Sequence, residues 1–123
     1  MRFDKELIID KVLLAGAQRH TEQRVLIDTG ATISILPQAI ARYLNLKIQH
    51  RGKKFHLVTA AGIIKAPVVT LDGLIVEGKK YRGIEFALVD LPENTGIKII
   101  LGMNFIKKVR LVIDGRKRSF RIE

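Results

Sequence analysis

The sequence predicts an all-β fold, a barrel or sandwich with one or two short helices, formed by residues 1–123 as a single domain. Three observations predict it. Short apolar runs rich in Val, Ile and Leu recur along the chain. Turn signals at Ala61-Gly62, Asp72-Gly73 and Glu77-Gly78 divide its middle at spacings typical of barrels and sandwiches. Helical spacing is confined to two brief stretches. With 123 residues and 47% hydrophobic content, the chain has material for one packed core rather than for disorder.

The elements follow in order. LIIDKVLLAGA (residues 7–17) and RVLIDTGA read as the arms of a hairpin, with QRHTEQ as its polar turn. TISILP (residues 32–37) is a short β-branched run. Pro37 suits the first turn of a helix, and QAIARYLNL spaces Ile40, Tyr43 and Leu44 at helical intervals. Strands resume from Lys53, LPENTG (residues 91–96) is a loop, and IKIILG is a buried-type strand. MNFIKKV reads as a second short helix, and VRLVIDGRKRSFRIE as a hairpin around Asp114-Gly115. One internal echo exists. VLIDTGATISILPQAIARYL and FALVDLPENTGIKIILGMNFIKKV share an order of elements, though not their identities.

Composition excludes several classes. There is no cysteine, hence no disulfide scaffold and no Cys-based metal site. His20, His50 and His56 are scattered without metal-ligand spacing, so neither metal nor cofactor is expected. No stretch is long enough to span a bilayer. Asp10 and Lys11 interrupt the one N-terminal run that resembles a secretion signal. A cytoplasmic chain is expected, unless it was excised from something longer. The net charge of +10 favours anionic contacts and solubility alike, and concentrates at residues 51–54 (RGKK) and 115–121 (GRKRSFR).

One segment carries chemistry. Apolar residues run straight into Asp28-Thr29-Gly30, then resume. Alone, Asp-Thr-Gly is good turn chemistry. Its setting between two apolar runs is unusual, because burying a carboxylate is costly. The loop Leu26-Ile27-Asp28-Thr29-Gly30-Ala31 resembles the catalytic loop of aspartic proteases. Further on, Ile99-Ile100-Leu101-Gly102-Met103-Asn104-Phe105-Ile106 is similar to the apolar-apolar-Gly segment and helix of the retropepsin-like branch. The order of strands between the two motifs fits as well.

The resemblance implies a closed acid-protease-type β-barrel with one Asp-Thr-Gly loop per subunit. It implies an aspartic endopeptidase acting on extended polypeptide. Two carboxylates sharing a proton activate water and polarise the carbonyl. Like charges so close do not both ionise, a behaviour for which aspartic proteases are the standard illustration. One loop supplies one carboxylate, so a homodimer is implied, with Asp28 of each copy meeting on a two-fold axis. Thr29 would bond across to the partner loop, Gly30 would permit close backbone approach, and Ile100, Leu101 and Gly102 would back the loop. Ala31 stands where other members carry Ser, removing a hydroxyl that stabilises the ionised carboxylate, which implies activity at only mildly acidic pH. Thr59, Ala60, Ala61, Gly62 and Ile63 would form a flap closing over substrate.

The sequence departs from the retroviral pattern in two places. Met103 replaces the Arg that usually follows the Gly. Retroviral members interleave their termini to build the dimer, and here both ends are highly charged. Two rival functions stay open at this level. One is a retropepsin-fold module that binds or dimerises without cleaving. The other is a basic barrel that binds nucleic acid, supported by the charge and by Phe120 among basic residues, and opposed by the scarcity of aromatics for base stacking.

Overall fold

The computed structural model describes residues 1–48, 54–59, 62–93 and 96–123, and builds them mainly from strands. In chain order these are β1 (Leu7–Ala15), β2 (His20–Ile27), β3 (Ser34–Leu36), α1 (Gln38–Tyr43), β4 (Lys54–Thr59), β5 (Gly62–Thr70), β6 (Gly73–Val76) and β7 (Lys79–Tyr81). β8 (Glu85–Leu88), β9 (Ile100–Leu101), α2 (Met103–Ile106), β10 (Leu111–Asp114) and β11 (Ser119–Ile122) complete the order. Nine strands form one sheet in the order β4-β5-β8-β3-β9-β2-β1-β6-β7, and β10 pairs with β11 apart from it.

The all-β class holds, with its two short helices. Closure is the part that the hydrogen-bond ladder leaves incomplete, because the outer strands β4 and β7 do not pair. β7 is three residues long and carries exposed Lys79 and Lys80, which discourages a further strand from adding there.

The first hairpin turns more tightly than its composition suggests. Gly16 N–H donates to the Arg19 carbonyl at 2.8 Å, and β2 already begins at His20. Residues 20–23 are therefore strand rather than turn. They alternate exposed and half-buried, because this end of the hairpin projects past the core. Further in, Val12, Leu14, Val25 and Ile27 are buried. They join Leu36, Phe86, Leu101 and Phe105 in the main cluster, where each such side chain stabilises the fold by about 1.5–3 kcal/mol.

Pro37 is the N-cap of α1 rather than part of it, in extended conformation, and the Asp90 carboxylate accepts the Gln38 N–H at 3.0 Å. α1 buries Ala41 and leaves Tyr43 half exposed, with the Arg19 guanidinium 5.3 Å from its ring. Of the residues at helical spacing, Leu44 is buried and Ile40 packs against the core, while Tyr43 does not.

The internal echo has a structural counterpart. β2 runs parallel to β9, and β8 runs parallel to β3. Between these pairs β3 and β9 meet antiparallel, Ile35 opposite Ile100. The two halves thus exchange strands about a local pseudo-two-fold.

The chain ends pair within one molecule. Met1 N donates to the Phe120 carbonyl at 2.8 Å, Phe120 N–H returns a bond of 2.8 Å to Met1, and Phe3 N–H reaches the Arg118 carbonyl at 2.9 Å. Phe120 is buried and meets Phe3 edge-on, so it offers no face for base stacking. Of the first basic cluster only Lys54 lies among the described residues. Among the described residues no helix is long and apolar enough to cross a membrane, and no group of side chains is arranged to hold a metal ion.

Candidate active site

Asp28 is the first residue after β2, and its position follows from the parallel ladder with β9. Leu26 N–H donates to Ile99 and Asp28 N–H to Leu101, each at 3.0 Å. The strand carries its apolar side chains inward up to Ile27, then delivers the carboxylate at the rim, where Asp28 is half-buried and Thr29 and Gly30 are exposed. The loop is internally braced. Gly30 N–H donates to Asp28 Oδ1 at 2.9 Å, and Ala31 N–H to the Asp28 carbonyl at 3.2 Å. A Cβ on Gly30 would lie 3.2 Å from that same Oδ1 and crowd the carboxylate.

The sequence-predicted supports lie behind this loop. Leu101 and Gly102 are buried and Ile100 is half-buried. Met103 N–H donates to the Ala31 carbonyl at 2.7 Å, while its side chain stays partly exposed. A Cβ on Gly102 would sit 2.6 Å from the Ala31 oxygen and 2.8 Å from the Ile33 oxygen. Only glycine lets α2 begin so close to the loop.

Two contributors escaped the sequence reading, Ser34 and Asn104. Ser34 is fully buried. Its N–H and Oγ both donate to Asn104 Oδ1, at 2.9 and 2.8 Å, and its Oγ accepts the Gly102 N–H at 3.0 Å. Asn104 Nδ2 donates to the Glu85 carbonyl at 2.8 Å. One amide thereby joins β3, β8 and the turn that holds the Asp28 loop. The available signal was a lone polar residue inside each of two apolar runs, since such a residue needs a partner when buried. Asn104→Ala should lower stability by about 2–4 kcal/mol, because it strands a buried hydroxyl and a buried N–H. Thermal unfolding checks this, and an unchanged midpoint would remove the network's role.

The hairpin β4–β5 packs at its base beside Ile33, which shares a small apolar cluster with Phe55, Ala66 and Ala87. Its register runs from Lys54 opposite Pro67 to Thr59 opposite Gly62. The basal half of β5 is anchored, with Val68 and Val69 buried and paired to β8. The outer half is open, and Ile63 is 69% exposed. Gly62 holds φ +119°, which a side chain would resist. Ala60 and Ala61, the expected tip, lie outside the described residues. Between hairpin base, loop and α2 lies an open groove of about 270 Å³, lined by Ile33, Phe55, Val68, Glu85, Asn104 and Lys107 among others.

The pseudo-two-fold explains why the chain holds a single such carboxylate. Val89 N–H donates to Leu36 at 3.0 Å, as Asp28 N–H does to Leu101. Each donor is the residue following the matched ends of a parallel pair, Leu88 with Leu36 and Ile27 with Leu101. At the site corresponding to Asp28, the second half carries valine.

Comparison with known proteins places these features in a family. A family model described as gag-polyprotein putative aspartyl protease matches residues 16–108, a span from the end of the first hairpin arm to α2. The fold is similar to that of EIAV protease complexed with the inhibitor HBY-793, at 21% identity, covering 88% of this chain and 93% of that one, with a TM-score of 0.59. It is similar also to a retropepsin-like aspartic protease from Rickettsia conorii, at 22% identity, covering 93% of this chain and 91% of that one, with a TM-score of 0.57. Comparison with curated protein sequences gave no match.

Proposed function

Since the chain belongs to the retropepsin-like aspartic protease family, we propose that it is an aspartic endopeptidase working as a homodimer. The observation that carries this is the Asp28 loop itself. An Asp-Thr-Gly turn is held from behind by Leu101, Gly102 and Met103, with Asp28 half-buried and Thr29 exposed at its rim. A partly exposed carboxylate on a braced loop is what two copies need to bring their Asp28 residues together.

In that pair one carboxylate is ionised and the other protonated. The ionised one takes a proton from a water whose oxygen attacks the peptide carbonyl carbon. The protonated one gives its proton to the carbonyl oxygen. The tetrahedral gem-diol then collapses: one hydroxyl returns its proton to the ionised carboxylate as the carbonyl re-forms, the C–N bond breaks, and the amine leaves with the proton of the other carboxylate, which restores the singly protonated dyad. Thr29 of each copy steadies the opposing loop. The hairpin with Thr59, Ala60, Ala61, Gly62 and Ile63 closes over the substrate, which lies extended and pairs through its backbone.

The test is digestion of a diverse peptide mixture by the intact chain and by Asp28→Asn, from acidic to neutral pH, with products read by mass spectrometry. Cuts that vanish with Asp28→Asn support the reading. Absence of cuts from a folded dimer would favour a binding module that does not cleave. Ala31→Ser should extend activity to lower pH. A hydroxyl donating to the ionised carboxylate favours the charged form, so the acidic limb of the pH–rate profile moves down. An unmoved limb would show that position 31 does not tune the dyad.

A further inference from the structure

The pairing of the chain ends leaves one strand edge open. β11 is occupied on both sides, by β10 and by residues 1–3. Among the described residues β10 pairs with β11 alone. Arg110 and Glu123 exchange two backbone bonds, of 3.0 and 2.9 Å. By the alternation of an antiparallel ladder, Val112 and Asp114 also turn their backbone groups toward β11, whereas Leu111 and Ile113 turn theirs to the open edge. Ile113 sits opposite Phe120, yet Phe120 is buried and Ile113 is 49% exposed. An unpaired edge with a half-exposed isoleucine is a template for another strand.

We propose that the strand it takes is β10 of a second copy, joined antiparallel about a two-fold axis at Val112. The inference rests on the protease reading, which requires a second chain to supply the second carboxylate. The segment Arg110-Leu111-Val112-Ile113-Asp114 is complementary to its own reverse. In this register Leu111 of each copy meets Ile113 of the other, so both outward-facing residues bond. Arg110 meets Asp114 at each end, and opposite charges placed across a pair favour that register over its neighbours. The joined sheet has six strands, residues 1–3, β11 and β10 from each copy. Each copy keeps its own termini, in contrast to the interleaved ends of the retroviral pattern. Four residues separate this edge from α2, whose first N–H holds the Ala31 carbonyl. The dimer contact thus lies a short connection away from the catalytic loop.

The chain has no cysteine, which makes the test direct. Val112→Cys places two thiols across a non-hydrogen-bonded pair, where Cα atoms lie about 4.5 Å apart and a disulfide fits. Under mild oxidation this variant should give a covalent dimer at least about tenfold faster than Leu111→Cys or a control at exposed Lys79. The covalent dimer should cleave peptides at a rate per chain that survives dilution. Ile113→Lys, at a half-exposed position, should sediment as a monomer while keeping its fold by circular dichroism. A wild-type dimer that cleaves, with no preferential crosslinking at position 112 and an unaffected Ile113→Lys dimer, overturns the β10 interface and leaves the protease reading standing. Rapid crosslinking at position 112 in a chain that cuts nothing supports the interface and counts against the protease.

Discussion

When the intact chain is mixed with Asp28→Asn chains and allowed to exchange, activity should fall as the square of the intact fraction. At equal proportions about one quarter of the dimers carry two carboxylates, and only those turn over. Pure Asp28→Asn should lose about a thousandfold or more, the scale associated with losing a positioned acid–base group. Asparagine keeps an oxygen for the Gly30 N–H that Asp28 Oδ1 accepts at 2.9 Å, so the loop keeps its shape. The loss is therefore chemical rather than structural, and an unchanged melting temperature checks that. A linear fall with the intact fraction would mean that each chain works alone, which would break the shared-dyad mechanism.

Gly102→Ala should be nearly as damaging by a different route. The added methyl would lie 2.6 Å from the Ala31 oxygen, 2.8 Å from the Ile33 oxygen and 2.9 Å from the Ile33 carbonyl carbon. These are backbone atoms, and no rotamer change relieves the contact. Either the helix α2 retreats or the segment after Asp28 moves. Overpacking of this kind costs about 1–3 kcal/mol, and a displacement of about 1 Å at a reacting group costs about a hundredfold in rate. Unfolding midpoints and kcat measured together test this. Gly115→Ala is the control, since a Cβ there meets nothing within 4 Å. Equal behaviour of the two variants would show that close approach at Gly102 does not hold the loop.

The strand class was readable from local signatures, and the Asp28 loop and Gly102 were singled out by the family resemblance of their two segments. Apolar runs of strand length announce a sheet, and a carboxylate between two of them announces something other than a plain turn. What was not readable depends on partners distant in sequence. Ser34 and Asn104 are ordinary residue types that matter only because they meet. His20 and Gln23 look like turn residues, and are strand because β1 supplies a ladder opposite them. Tyr43 obeys the helical period, yet it lies half exposed with the Arg19 guanidinium over its ring. The separation of β4 and β7, which leaves the sheet ladder unclosed, and the pairing of residues 1–3 with β11 are properties of the whole assembly. No window of sequence contains them.

The bonds that shape the Asp28 loop come from far along the chain. Ser34 is joined to Asn104 across 70 positions and to Gly102 across 68, and Asp28 itself leans on Leu101. Contacts of such separation form late, because the intervening chain must first give up its freedom. During synthesis, a chain released only as far as β8 has its Asp-Thr-Gly and the loop's own short bonds, but not the backing from Leu101, Gly102 and Met103. Truncations ending before Met103 should be inert however well the first hairpin folds. If the chain cleaves as proposed, the order of synthesis would act as a timer, withholding a cutting edge until α2 has been made.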